Sequence, residues 1–87
     1  MNRPEWWKWE LEITPHVEKR MIQRSFSEIE LREMFDRAIS LRPDKEVGRY
    51  VAVSTLHSAN WEIILEPDFN EKLIVVVTAY PIGNYKA

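Results

Sequence analysis

Residues 14–30, TPHVEKRMIQRSFSEIE, contain two consecutive helix starts and decide the fold. Thr14 is a favourable N-cap, and Pro15 suits the first helical position because its missing N–H would have no partner there. Ser27 and Glu30 have the spacing of a capping box, in which each side chain bonds the other residue's backbone N–H. The sequence therefore predicts two short helices in succession, one beginning after Thr14 and one after Ser27.

The second helix should extend to about Ser40. Phe26 and Leu31 have the spacing of a hydrophobic staple, which supports the same start. Pro43 and Asp44 are expected to end the element in a loop, since proline disfavours a helical residue before it. The apolar residues of this helix recur at helical spacing and should face a core: Leu31, Met34, Phe35, Ala38 and Ile39.

The segment Trp6–Ile13 precedes the first helix and alternates with the period of a half-buried strand. Trp6 breaks the alternation and is expected to be exposed. Tryptophan rings can stack nucleobases, but a row of bulky side chains on one side of a strand is more typical of a core. The residues expected on the core side are Trp7, Trp9, Leu11 and Ile13.

Three further strands are predicted after the helices, over Tyr50–Thr55, Trp61–Glu66 and Leu73–Tyr80. These segments are rich in β-branched and aromatic residues and are separated by residues that favour turns. The run from Leu73 to Val77 is apolar on both faces, which is typical of an interior strand.

The predicted element order is β-α-α-β-β-β, and the fold class is α+β. Grouped helices and strands favour two helices packed on one face of a roughly four-stranded antiparallel sheet. With 87 residues, the chain should form a single domain over residues 1–87. We expect a folded core over residues 6–81 and a loose C-terminal tail over residues 83–87.

The composition excludes several classes of site. There are no cysteines and only two histidines, so neither a metal site nor a bound cofactor is predicted. The longest apolar run is too short to cross a membrane, and the N-terminus lacks the order of a signal peptide, so we expect a cytoplasmic protein. A net charge of −2 and a pI of about 5.7 count against broad, sequence-independent nucleic-acid binding.

The predicted first helix carries His16, Arg20 and Arg24 at successive four-residue steps, so one face presents an imidazole and two guanidinium groups. The positive end of the helix dipole favours a neutral His16 ring, which can accept a proton. Thr78 and Tyr80 would emerge on one face near the end of the last strand. Alternatively, the helix face merely contacts water, and Thr78 and Tyr80 merely suit a sheet.

These residues resemble a known family. The pattern T-x-H-x-x-x-R-x-x-x-R in a leading helix, an S-x-x-E second helix and a closing V-V-T-x-Y-P strand are similar to a small prokaryotic domain-of-unknown-function family. That family is grouped with the RelE-like and barnase/EndoU/colicin-type RNases. The resemblance covers residues 11–81 and rests on short motifs.

The resemblance implies an endoribonuclease that needs no metal, typically the toxin of a toxin–antitoxin pair, with RNA as substrate and an antitoxin as partner. Its site would consist of His16, Arg20, Arg24, Thr78 and Tyr80. His16 would take the proton of a ribose 2′-OH that attacks the adjacent phosphate, and an arginine would stabilise the developing charge. Tyr80 or His57 would protonate the leaving 5′ oxygen.

A second class of function remains open from the sequence, because toxins of this group are commonly basic and this chain is mildly acidic. The His16/Arg20/Arg24 face would then belong to a noncatalytic binding module that docks a protein partner or an anionic ligand. The sequence does not predict the oligomeric state.

Overall fold

Residues 2–84, which the computed structural model describes, form an α+β fold of two α-helices, one 3-10 helix and a five-stranded mixed sheet. In chain order the elements are a 3-10 helix (Glu5–Lys8), β1 (Glu10–Ile13), α1 (Pro15–Gln23), α2 (Glu28–Asp36), β2 (Ser40–Pro43), β3 (Tyr50–Leu56), β4 (Ala59–Asp68) and β5 (Leu73–Asn84).

The strand order is β1-β5-β4-β3-β2. Strands β3 to β5 are the three strands that the sequence predicted, and they form an antiparallel meander that β2 extends at one edge. However, β1 pairs in parallel with β5, with Glu10 opposite Leu73. The prediction of a roughly four-stranded antiparallel sheet was therefore wrong in strand number and in the orientation of one pair. The two helices carry the chain from β1 to the opposite edge of the sheet, and the meander then returns to β1.

Both predicted helix starts are confirmed. The Val17 N–H donates to Thr14 Oγ1 at 3.3 Å, with Pro15 in the first turn. The capping box at the start of α2 is complete, since Ser27 N donates to Glu30 Oε1 at 3.0 Å and Glu30 N donates to Ser27 Oγ at 3.1 Å. Local rules of helix capping therefore predicted both positions correctly.

The end of α2 differs from the prediction. The helix stops at Asp36 instead of Ser40, and Ile39 is 64% exposed instead of facing the core. The Ile39 N–H donates to Val53 O at 2.9 Å, and residues 40–43 form β2, which the sequence analysis missed. Pairing with β3 thus satisfies backbone groups that a longer helix would have used.

The segment before β1 was also predicted incorrectly. Residues Glu5–Lys8 form a 3-10 turn, and the strand begins only at Glu10. Trp6, expected to be exposed, is 7% exposed, and its ring centroid lies 5.1 Å from that of Tyr50. The turn places consecutive indoles in the core, which an extended chain could not do because its side chains alternate between faces.

One core lies between the sheet and the two helices, so both helices cover the same face of the sheet. Helix α1 contributes Val17, whereas α2 contributes Leu31, Met34 and Phe35. The strand residues of this core are Ala52, Leu56, Trp61, Ile63, Leu65, Ile74, Val76 and Ala79. We call this side of the sheet the covered face and the other side the open face.

A β-bulge in β5 changes which residues reach the open face. Leu65 lies opposite Val76 and Ile64 lies opposite Thr78, so Val77 is an extra residue on β5. Beyond the bulge, Ala79 is buried in the core. Thr78 and Tyr80 consequently lie on the open face.

The predicted tail falls partly outside the described residues. β5 continues to Asn84, which pairs with Ala59, and residues 85–87 lie outside the described part of the chain. Within residues 2–84, no helix combines the length and apolar character needed to cross a membrane.

Candidate functional site

Helix α1 is fastened to strand β5 at both of its ends. Thr14 Oγ1, which caps the helix, donates a hydrogen bond to Val76 O at 3.0 Å. At the other end, Arg24 Nη1 donates to Ala79 O at 2.8 Å. Val76 lies opposite Ile13, the last residue of β1, and Ala79 lies beyond the end of this pairing, so these bonds use carbonyl groups of β5 where β1 ends. The first turn of α1 is therefore held in a defined position against β5.

This attachment brings His16 and Thr78 together. His16 Nε2 lies 3.2 Å from Thr78 Oγ1, and the imidazole is exposed to solvent. The direction of this hydrogen bond depends on the ring tautomer, since a neutral imidazole has one donor and one acceptor nitrogen. Two of the residues selected from the sequence, 62 positions apart, are thus direct neighbours.

The other three residues selected from the sequence bond to different neighbours. Arg20 Nη1 donates to Gln23 Oε1 at 2.7 Å, within α1. The guanidinium of Arg24 donates a hydrogen bond to the Ala79 carbonyl. The Tyr80 hydroxyl belongs to a hydrogen-bond network on the open face.

The Tyr80 hydroxyl donates to Glu62 Oε1 at 2.8 Å, and Arg42 Nη2 lies 3.2 Å from Glu62 Oε2. The hydrogen bond to Glu62 raises the pKa of Tyr80 above its ordinary value, and partial burial adds to this effect. Tyr80 therefore keeps its proton and is engaged with the carboxylate of β4 rather than with His16.

His16 and Thr78 line a depression of about 510 Å³ on the open face. The depression also contains Arg49, which precedes β3, and Glu66 of β4. Its remaining lining residues are Thr14, Val75 and Val77. An imidazole, a guanidinium, a carboxylate and a hydroxyl thus surround a partly apolar floor.

The sequence analysis missed Arg49 and Glu66 as site residues. Alternation along β4 does indicate that Glu66 lies on the face opposite Leu65. However, its proximity to His16 depends on the pairing of Glu66 with Val75 and on the position of α1. No local signal in the sequence carries that information.

Arg49 and Glu66 form an ion pair, with 3.1 Å between Arg49 Nε and Glu66 Oε1. Their side chains are 37% and 48% exposed. Exposed ion pairs of this kind contribute only about 0–1 kcal/mol to stability. An anionic ligand could therefore bind the guanidinium and release the carboxylate at little cost.

His57 lies away from this depression. It is in the turn between β3 and β4, and its Nε2 is 2.8 Å from Glu30 Oε2 at the start of α2. The pKa of Glu30 is lowered, first by the backbone hydrogen bond from Ser27 and then by His57. His57 thus joins a turn to a helix start.

In the described residues, 2–84, no group of three or more potential ligand side chains is arranged to hold a metal ion. The groups that the depression does offer are suited to proton transfer and to anion binding.

Comparison of the chain with protein-family models, with curated proteins and with solved structures found no match.

Proposed function

We propose that this chain is an endoribonuclease that cleaves RNA by attack of a ribose 2′-OH on the adjacent phosphate, without a metal ion. The observation that supports this function best is the depression on the open face. It combines an exposed imidazole, that of His16, with the cation Arg49 and the carboxylate Glu66. This set supplies the two kinds of group that the reaction requires, namely proton-transfer groups and a fixed cation.

Two proton transfers accompany the reaction, and His16 and Glu66 would divide them. One group takes the proton of the 2′-OH, and the other gives a proton to the leaving 5′ oxygen. The products are a 2′,3′-cyclic phosphate and a free 5′-hydroxyl. Tyr80 and His57, the acids expected from the sequence, are bonded to Glu62 and Glu30 instead. Glu66, an ionised carboxylate paired with Arg49, would take the proton of the 2′-OH, and His16 in its imidazolium form would give a proton to the leaving 5′ oxygen.

Cationic groups would stabilise the charge that develops on the phosphate oxygens. Arg49 is the best placed, since it lines the same depression as His16. The Arg20 guanidinium is bonded to an exposed Gln23 side chain, so it would bind a flanking phosphate. Arg24 would act as a positioning residue, because its bond to Ala79 O holds the strand segment that carries Thr78.

The partners follow from the chemistry and from the family resemblance. DNA lacks the attacking hydroxyl and should not be cleaved. We propose that the enzyme acts in the cytoplasm as the toxin of a toxin–antitoxin pair, with an antitoxin protein as its inhibitor. The RelE-like and barnase-type RNases remain the proposed relatives on the strength of the helix and strand motifs.

The test is cleavage of a ribodinucleotide and of the matching deoxyribodinucleotide by purified protein in the presence of a chelator. We expect a cyclic phosphate product from the RNA alone. His16→Ala should lower kcat/KM by about 10²–10⁴-fold, and Glu66→Gln should also lower it. His57→Asn is the matched control, because asparagine tolerates the positive φ of that turn position (50°).

Absence of cleavage by the wild type, or equal cleavage by wild type and His16→Ala, would contradict the proposal. The noncatalytic module that binds an anionic ligand would then be the better description. Controlled expression in bacteria gives an independent check, since the wild type should arrest growth with RNA cleavage and His16→Ala should not.

A further inference from the structure

A basic and aromatic cavity lies outside the site described above. It has a volume of about 350 Å³ and is lined by residues of the N-terminal segment from Arg3 to Leu11 and of α2. Its charged side chains are Arg3, Lys8 and Arg32, opposed by the single carboxylate Asp36. A local excess of two positive charges therefore occurs in a chain whose net charge is −2.

Aromatic rings accompany these cations. Trp7 and Trp9 line the cavity. Trp9 also lines a neighbouring cavity of about 360 Å³, in which the charge of Lys72 is balanced by that of Glu5 and the other lining residues are Trp6 and Phe69. The ring centroids of Trp9 and Phe69 are 5.3 Å apart in an edge-to-face arrangement, and Phe69 is 65% exposed. Trp9 thus lies between a cavity with an excess of positive charge and one whose lining charges balance.

The three cations of the cavity differ in the partners that they have within the protein. The Arg3 guanidinium lies 5.8 Å from the centroid of the Trp7 ring and donates to the Asp36 carbonyl. Arg32 is 3.4 Å from Glu28 in an exposed pair on α2. In the part of the chain that the structure describes, Lys8 forms no ion pair.

We propose that this cavity is a subsite for single-stranded RNA, in which cations bind phosphates and a base stacks on Trp9. This inference rests on the proposed ribonuclease function and identifies a second contact for its substrate. Cationic grooves interleaved with exposed aromatic rings are the usual means of binding single strands. An acidic peptide would satisfy the cations but would leave the aromatic rings without a matching planar group.

The position of the cavity indicates a flanking segment of the substrate rather than the cleaved phosphate. Trp9 precedes β1 and Thr14, at the rim of the depression, follows it. A four-residue strand spans about 13 Å at about 3.3 Å per residue, so a dinucleotide at His16 would leave the cavity empty. A longer RNA would have additional nucleotides available for it.

The test compares a ribodinucleotide with a decaribonucleotide in wild type, Lys8→Gln, Arg32→Gln and Trp9→Leu. Lys45→Gln is the matched control, since Lys45 is exposed and lines none of the cavities described here. We expect the three cavity variants to lower kcat/KM for the decanucleotide while leaving dinucleotide cleavage unchanged. Trp9→Leu should reduce decanucleotide affinity by about fivefold or more, because base stacking on an aromatic side chain contributes about 1–3 kcal/mol.

Direct binding separates this inference from the function on which it rests. A labelled decanucleotide is titrated into His16→Ala, in which cleavage is blocked, with and without Lys8→Gln. Lys8→Gln should reduce the slope of log K against log salt by about 0.7, the value for one phosphate contact on a single strand. Tryptophan fluorescence should be quenched by the RNA, and less so in Trp9→Leu.

The outcomes are distinguishable. If the wild type cleaves RNA but the cavity variants bind and cleave the decanucleotide as the wild type does, the subsite is refuted and the function stands. If no RNA is cleaved but Lys8→Gln and Trp9→Leu weaken decanucleotide binding, the function fails and the subsite stands. If polyglutamate competes as well as RNA and Trp9→Leu has no effect, the cavity binds acidic peptides and the inference is wrong.

Discussion

The two faces of the sheet are built in different ways, and strand β5 contributes to both. On the covered face, Ile74 and Val76 are completely buried beneath the helices. On the open face, Val75 and Val77 are only half-buried. The ion pairs between β4 and the residues of β2 and of the loop before β3 also lie on the open face.

The residues that stabilise the fold and those proposed to carry out the reaction therefore lie on different faces of one sheet. Apolar burial on the covered face supplies most of the stabilising free energy. The open face holds the depression with His16, Arg49 and Glu66, whose charged groups contribute little to stability and are accessible to a ligand. Substitutions on the covered face should therefore mainly lower the free energy of unfolding. Substitutions on the open face should mainly lower activity.

The largest effect on stability is expected on the covered face, and it is best measured against a substitution of the next residue, which lies on the open face. Ile74→Ala should lower the free energy of unfolding by about 2–5 kcal/mol, because it removes a fully buried side chain and leaves a cavity. Val75→Ala should cost about 1 kcal/mol or less, because the Val75 side chain is only half-buried. Urea denaturation of both variants measures the difference. Equal losses would mean that the open face is buried as well, and a dependence on protein concentration would then reveal self-association.

Thr14 lies at the border between the two faces, and its substitution should affect both stability and activity. Thr14→Ala removes the cap of α1 and the hydrogen bond to Val76 O, so a loss of about 1–2 kcal/mol is expected. Because the same bonds hold His16 near Thr78, ribonuclease activity should also fall. Thr14→Ser keeps the hydroxyl and should retain both properties. A loss of stability without any change in activity would show that this attachment does not position His16.

Tyr80→Phe tests the polar network of the open face and should cost only about 0.5–1 kcal/mol. Since the pKa of Tyr80 is raised in the folded protein, its contribution is present below the unfolded pKa of about 10 and is lost as pH rises through the higher folded value. The stability difference between wild type and Tyr80→Phe should therefore shrink at strongly alkaline pH. A difference that stays constant there would exclude the hydrogen bond as its cause.

The smallest effect on stability is expected at the start of α2, where the Glu30 carboxylate is hydrogen-bonded to Ser27 and His57. The pKa of Glu30 is lowered below its ordinary value of 4.5. Its contribution is therefore present above the unfolded pKa and is lost as pH falls through the lower folded value. The urea midpoints of wild type and Glu30→Gln should differ at neutral pH and converge in acid. Glu33→Gln, an exposed position on the same helix, should show no such convergence.

Short-range patterns in the sequence were sufficient for the elements whose ends depend on neighbours a few residues away. Thr14 and Ser27 predicted the helix starts, because capping involves the next three residues only. Alternation and β-branched content located β3, β4 and β5. The same patterns missed β2 and overextended α2, because the backbone partners of residues 39–43 come from β3, which is distant in sequence.

For the candidate site, the sequence by itself determined that His16 occupies the first turn of a capped helix and that Thr78 and Tyr80 share one face of a strand. Only the tertiary structure decided that this face is the open one, since the extra residue Val77 reverses the alternation after Val76. It also decided that Arg49 and Glu66 line the same depression as His16. The physical reason is that strand register and helix attachment depend on contacts between residues far apart in the chain, which no local pattern records.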